Sequence, residues 1–355
     1  MSKDAGRALR GLASMASMSK ADSHPSLRSR AAKLFKRVPE TEDADHRMLG
    51  EMMRVIKRQN GLLAEMAARI EALEQAVGAA RTVTGKTFNR VKHLEPGVEA
   101  LLRARFIDPS TLPYPERLFA HRFRLRSQNQ EDGITLALLS AAGIVTRRFV
   151  ELGSGLSGGN SAFLAAELGW TGLMVDGDEV HMQQVARRFP QVTAAAAWIT
   201  AEGVNELIER HGLGGDVDLL SIDVDGNDYW VWQAVTACNP RVVIVEYNSI
   251  WGPTRAVTIP YDPQFDRRKH RFVYYGASLA ALARLAAKKG YRLGAASPAG
   301  INAFFLRNDL APEIPEVAPE RAYRIQIQYD VFIKDKQVDM YEYVRTQGLP
   351  LVEVD

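Results

Sequence analysis

Apolar residues in the second half of the chain fall into short runs that end in a carboxylate: Phe149-Val-Glu-Leu152, Gly172-Leu-Met-Val-Asp176, Val217-Asp-Leu-Leu-Ser-Ile-Asp223 and Arg241-Val-Val-Ile-Val-Glu246. Runs of this length read as buried strands. A weaker strand is expected over 194–199. Between the runs the period changes to that of helices, at 134–142, 161–168, 179–189 and 278–289. Tyr229, Trp230 and Trp232 fall at the start of another helix, where they read as core or as a platform for a sugar. Strands alternating with helices predict an α/β fold with an open parallel sheet. The last two runs, Tyr291-Arg-Leu-Gly-Ala295 and Asn302-Ala-Phe-Phe-Leu-Arg307, are joined through Ser297-Pro-Ala-Gly300. So short a link permits a hairpin and no helical crossover, so the last strand is expected to be antiparallel.

Upstream, a seven-residue period takes over. Leu49, Ile56, Leu63, Ile70 and Val77 are spaced by seven, with Met52, Gln59, Met66 and Leu73 interleaved. This predicts a coiled-coil helix over 45–80, read as a self-association element or as a helix laid against the same chain. Residues 81–126 form a connector broken by prolines, and 311–355 an extension beyond the strands. Residues 1–37 hold nine Lys or Arg against Asp4 and Asp22. An arm of this composition, over 1–44, reads as a solvated tail or as a weak contact with an anionic membrane surface. It also resembles an organelle transit peptide in composition.

The 355 residues carry a formal net charge of +3, too small to pull the whole protein toward nucleic acid. Cys238 is the single cysteine, which excludes an internal disulfide and a zinc site built on several thiolates. A reducing, cytoplasmic setting is expected, and no run reaches the roughly twenty apolar residues of a membrane span.

The chemistry centres on Gly153-Ser-Gly155-Leu-Ser-Gly158, a glycine turn between strand and helix that matches the dinucleotide fingerprint. A nicotinamide oxidoreductase is therefore one reading. Glu151 argues for another. An acid before the turn repels a pyrophosphate but attracts the sulfonium and ammonium of S-adenosylmethionine (SAM). Asp176, about twenty residues on, stands where a doubly wound fold places the acceptor for both ribose hydroxyls. Asp178 reads as a second ligand or as the cap of the helix that follows. The cluster Ser127-Gln-Asn-Gln-Glu-Asp-Gly133 either caps the next helix or reaches a ligand through Gln128, Glu131 or Asp132. Ligands of such sheets sit outside the carboxyl ends of the strands, so Glu151, Asp176, Asp223 and Glu246 are expected at one rim.

On Phe149-Val-Glu-Leu-Gly-Ser-Gly155, Leu219-Leu-Ser-Ile-Asp-Val-Asp-Gly-Asn-Asp-Tyr-Trp230, Val243-Ile-Val-Glu-Tyr-Asn248 and Tyr274-Tyr-Gly-Ala-Ser-Leu279, the chain resembles class I methyltransferases, and more narrowly the FkbM-type sugar methyltransferases. The likeness covers about residues 127–310. It implies a Rossmann-like seven-stranded SAM fold and methyl transfer to a saccharide or glycoconjugate hydroxyl. Gln128, Glu151, Gly153, Ser154, Gly155, Asn160, Asp176 and Asp223 are then the expected cofactor residues. An alcohol needs a base or a metal to become a nucleophile. Asp223, Asp225 and His270 are the candidate bases. Asp223, Glu246 and Asn248 offer oxygens suited to Mg²⁺, as in catechol-type enzymes, although Asn248 stands one residue beyond the usual place. Asn227, Asn248, Arg267 and Arg268 are the expected acceptor contacts, with Arg267 to Arg271 read as an anion clamp or a solvated basic loop. A protein or metabolite acceptor, and a non-catalytic scaffold, are the remaining alternatives.

Overall fold

The computed structural model describes residues 54, 57–58, 61–72, 74–75, 98, 101–103, 105–270, 273–326, 329 and 339–355. The chain divides into two compact units, Met1–Gly85 and Lys86–Asp355. In the first, residues 61–72 are helical, and Leu62, Leu63, Met66 and Ile70 are exposed on that helix. The rest of the expected seam, Leu49, Met52, Ile56, Gln59, Leu73 and Val77, lies outside the described residues, as does the basic arm over 1–44.

The second unit is built on one sheet of seven strands. Five are parallel: β1 (Arg148–Leu152), β2 (Thr171–Asp176), β3 (Thr193–Ala196), β4 (Gly215–Ile222) and β5 (Cys238–Glu246). Two residues, Val257–Thr258, form β6 in a separate ribbon, and the main sheet continues with β7 (Tyr291–Ala296) and β8 (Asn302–Arg307). The spatial order is β3-β2-β1-β4-β5-β8-β7. Strand β8 runs antiparallel to both neighbours, Val242 facing Leu306 on one side and Arg292 facing Leu306 on the other. The short link after β7 forces this hairpin, as the sequence predicted.

Both faces of the sheet are covered, which is why the strands are apolar runs and do not alternate with polar residues. Val150, Leu152, Leu220, Ile222, Val243 and Val245 point into one core. Phe149, Leu219, Val242 and Ile244, one residue out of phase, point into the other. Helices α1 (Glu116–Ala120), α2 (Glu131–Ala142), α3 (Ala162–Leu168) and α4 (Glu179–Arg188) contribute to the second core; α5 (Val204–Arg210), α6 (Asp228–Ala234) and α7 (Leu279–Lys288) to the first. Helix starts are marked by side-chain caps: Asp178 Oδ1 accepts from His181 N at 3.0 Å and Ser278 Oγ from Ala281 N at 3.1 Å.

The segments outside the shared core are packed into this unit. Leu118 and Phe119, from the expected connector, are buried in the second core. In the C-terminal extension, α8 (Pro319–Ala322) packs on the first core through Ala322. Beyond it, α9 (Met340–Thr346) buries Val344 in a third cluster with Trp251, Val257, Ile259 and Tyr274. Strand β9 (Val352–Glu353) pairs antiparallel with β6. Among the described residues no helix is long and apolar enough to cross a membrane.

Tyr229 and Trp232 are core, not a sugar platform. Trp232 is almost wholly buried, 4.7 Å from Phe305 and 6.2 Å from Tyr291 between ring centres. Trp232→Ala is expected to cost about 3–5 kcal/mol. Urea unfolding followed by circular dichroism measures this, and a loss below about 1 kcal/mol would show that the site collapses around the missing ring.

Candidate active site

The glycine turn after β1 is folded around a buried acid. Glu151 Oε2 accepts from Ser161 N at 2.9 Å and Ser161 Oγ at 2.5 Å, and Oε1 accepts from Asn160 N at 3.2 Å. The backbone must approach closely to make these bonds. A Cβ at Gly159 would stand 2.1 Å from Glu151 Oε1, and one at Gly153 only 1.7 Å from the Asp223 carbonyl oxygen. Both positions also have positive φ, +59° and +88°, so glycine is required twice over. Burial outweighs the donors and pushes the Glu151 carboxyl up to about 7. The expectation that Glu151 faces the donor is therefore corrected: its oxygens are spent inside the fold on the turn.

Ser154 and Asn160 are buried beside it. Ser154 Oγ faces Met182 Sδ at 3.7 Å, and Asn160 Nδ2 donates to Ser221 Oγ at 3.2 Å. Gln128 is exposed. Its neighbours Glu131 and Asp132 are buried and accept from preceding backbone: Asn129 N for Glu131, and Leu125, Arg126 and Ser127 N for Asp132. None of these residues lines the cavity described next.

That cavity, of about 720 Å³, opens at the carboxyl ends of β1, β2 and β4. Gly153, Gly155, Asp176 and Asp223 all line it. Asp176 Oδ2 accepts from Gly155 N and Oδ1 from Asp178 N, both at 2.9 Å, which fixes the carboxylate at the rim with lone pairs to spare. One wall is Trp198, 64% exposed. A Cβ at Gly177 would come within 3.1 Å of that ring. The indole Nε1 donates to Pro263 O at 2.6 Å, tying the β3 end to a flap over 262–270. The flap is held from below as well: Asn227 Nδ2 donates to Asp262 O at 2.7 Å, and Phe265 covers Gly226, where a Cβ would stand 2.3 Å from its ring.

Under the flap, carboxylates crowd together. Asp228, fully buried, accepts from Val224 N at 2.8 Å and Gly226 N at 3.0 Å, so it braces the loop 223–228. Its carboxyl is raised to about 6, by burial first. Asp223 and Glu246 are both held well above the usual carboxylate range: Asp223 by burial and then by Asp228, Asp225 and Glu151, against a hydrogen bond with Glu246 that lowers it, and Glu246 by burial and then by Asp223 and Asp228. Asp223 keeps an edge open to the cavity, so of the two it is Glu246 that is most deprived of water. Asp225 adopts a left-handed backbone, φ +57°, and is 65% exposed. Arg267 Nη1 pairs with Asp225 Oδ1 and lies 3.8 Å from Glu246 Oε1.

Three expectations change here. Asn248, expected as a metal ligand and acceptor contact, is committed to the backbone: Nδ2 donates to Val273 O and Tyr275 O, and Oδ1 accepts from Ile250 N. His270 does not line the cavity. It stacks on Phe265 at 5.3 Å with planes 3° apart and meets Tyr274 edge-on, as packing for the flap. The arginines are not a free anion clamp, because Arg267 is paired as above and Arg268 is bidentate to Asp266 at 2.9 and 3.0 Å. Arg271 lies outside the described residues. Trp198 escapes the sequence reading because it falls inside the strand expected over 194–199, whereas β3 ends at Ala196; of the flap that reading singles out only the basic run from Arg267, and Arg267 and Arg268 do line the cavity.

No family model matches the chain, and no curated protein does. Among solved structures it is similar to the O-methyltransferase from Bacillus cereus in complex with SAH, at 18% identity and TM-score 0.33, over 59% of this chain and 87% of that one. It is similar to a TehB-like SAM-dependent methyltransferase from Corynebacterium glutamicum at 12% identity and TM-score 0.27, over 49% and 86%. A third, a SAM-dependent methyltransferase from Thiobacillus denitrificans with S-adenosylhomocysteine, gives 14% and 0.30, over 51% and 72%. Similarity at this level assigns no activity to the chain.

The Glu151 carboxyl lies above its ordinary 4.5, so the stability it contributes is complete below that pH and is lost as pH rises through about 7. The loss amounts to about 3 kcal/mol. Urea unfolding at pH 4.5 and pH 8 should show wild type losing about that much more than Glu151→Gln. Equal losses in the two proteins would refute the assignment.

Proposed function

We propose that this protein transfers a methyl group from SAM to a hydroxyl of a saccharide or glycoconjugate. The observation that carries the reading is the sign of charge around the cavity. Asp176, Asp178, Asp223, Asp225 and Asp266 face two guanidiniums, Arg267 and Arg268, each already paired with a carboxylate. A diphosphate brought there would meet like charge, whereas a ligand bearing a sulfonium and an ammonium meets the opposite one. This disfavours the nicotinamide reading of the glycine turn.

In this reading Asp176 accepts from the ribose hydroxyls and Trp198 offers a flat apolar face to the adenine. Asp223 lies on the cavity wall between the glycine turn and the flap. Burial holds its carboxyl well above the usual carboxylate range, which makes it a stronger base than an exposed aspartate for taking the acceptor's proton, as the carbon–sulfur bond breaks and the carbon–oxygen bond forms. A saccharide acceptor is supported by the resemblance and by a rim of carboxylates able to accept from several hydroxyls.

Calorimetry on the full chain tests the donor: SAM should bind at micromolar concentration, and NADH and NADPH should not. Asp176→Ala should weaken SAM about ten- to a hundredfold, the worth of a charged hydrogen-bond acceptor. Turnover of labelled SAM with a glycan extract should vanish in Asp223→Ala. Absence of SAM binding to wild type would sink the reading. We also propose self-association through 45–80, where Leu63, Met66 and Ile70 share an exposed helix. Sedimentation of Leu63→Asp/Ile70→Asp should then show a smaller species than wild type, and unchanged sedimentation would refute it.

A further inference from the structure

Asp223, Asp225 and Glu246 each offer an oxygen within 4.8 Å of the others. Asp223 and Glu246 come from the ends of neighbouring parallel strands, and Asp225 joins them from a left-handed backbone that a non-glycine residue adopts only at some cost. Carboxylates gathered in this way do not by themselves make a ligand site. Glu246 adds the deciding observation. Its side chain is only 7% exposed, and among the described residues Oε2 receives no N–H or O–H. The Asp223 carboxyl lies within hydrogen-bonding reach of it, yet a carboxylate is itself an acceptor. Two carboxyls buried against each other need a positive partner between them, a proton or a cation.

The surroundings supply part of that partner. Arg267 pairs with Asp225, stands 3.8 Å from Glu246 Oε1, and lies 4.2 Å over the Tyr275 ring. Asp228, the fourth acid, is spent on two backbone N–H groups of its own loop. With that proton released, three carboxylates against the one guanidinium found there among the described residues leave two negative charges, the charge of one divalent ion.

We infer that Asp223, Asp225 and Glu246 form a site for one hard divalent cation, with which Arg267 competes for Glu246. All-oxygen donors select Mg²⁺, Mn²⁺ or Ca²⁺ over softer metals. Oxygens on opposite sides of Ca²⁺ stand about 4.6–5.2 Å apart and across Mg²⁺ about 4.0–4.2 Å, so oxygens all within 4.8 Å of one another admit either ion. The donor set differs from the one the sequence suggested, since Asp225 takes the place of Asn248. The inference stands on the carboxylates and not on the methyl-donor reading. If both hold, a hydroxyl bound at the ion would lose its proton more readily.

The test is a titration of the chelator-treated full chain with MnCl₂, reading free Mn²⁺ by electron paramagnetic resonance. One Mn²⁺ per chain is expected. Asp225→Asn, a change at an exposed side chain that leaves the core intact, should weaken it about tenfold or more. Arg267→Gln should tighten it by about tenfold, because one like charge is removed from the site. No binding at millimolar Mn²⁺ by wild type and Arg267→Gln would overturn the site. Binding unchanged in both Asp225→Asn and Glu246→Gln would do the same. SAM calorimetry on the metal-free protein keeps the two readings apart. Donor binding without a Mn²⁺ site overturns only this inference, and Mn²⁺ binding without donor binding overturns only methyl transfer.

Discussion

A carboxylate taken out of water must be met by donors or by a proton, and the turn after β1 is shaped by that demand on Glu151. Three N–H and O–H groups converge on its oxygens from the residues that open α3. To bring them there the chain passes so close that Gly159 has no room for a side chain, while Gly153 is pressed against the Asp223 carbonyl in the same way. The turn therefore registers β1, β4 and α3 against one another. The cavity beside it owes its shape to that registration.

The same physics continues across the sheet with a different outcome. Asp228 is satisfied by its own loop and Asp176 by the turn. Asp223 and Glu246, at the ends of adjacent strands, have each other and, among the described residues, a single arginine. An edge built in this way is electrostatically incomplete, which is unusual for a merely structural region and ordinary for one that receives a charged ligand.

Much of the fold was legible because strand and helix periods, and a link too short for a crossover, are local signals. The runs ending at Leu152, Asp176, Asp223 and Glu246 became strands, and the hairpin of β7 and β8 followed from the five residues that separate them. Asp178 capped its helix in the way its position implied. What escaped depends on contacts distant in sequence. Nothing near Trp198 announces that its indole will bond to Pro263. Nothing near Asn248 shows that Val273 and Tyr275 will consume its amide. Glu151 was placed at the right edge but on the wrong side of the backbone. Period and composition fix where a strand ends, while the direction of its last side chains depends on which neighbours can satisfy them.

Strand β8 is the last of the main sheet along the chain, yet it lies inside it, between β5 and β7. Until it is in place, β5 is an unpaired edge whose Val242-Val-Ile-Val245 segment is among the most apolar of the protein. A nascent chain therefore carries an aggregation-prone template through the synthesis of some fifty further residues. The hairpin that finally covers it acts as an internal chaperone, and the sheet is safe only once the hairpin has inserted.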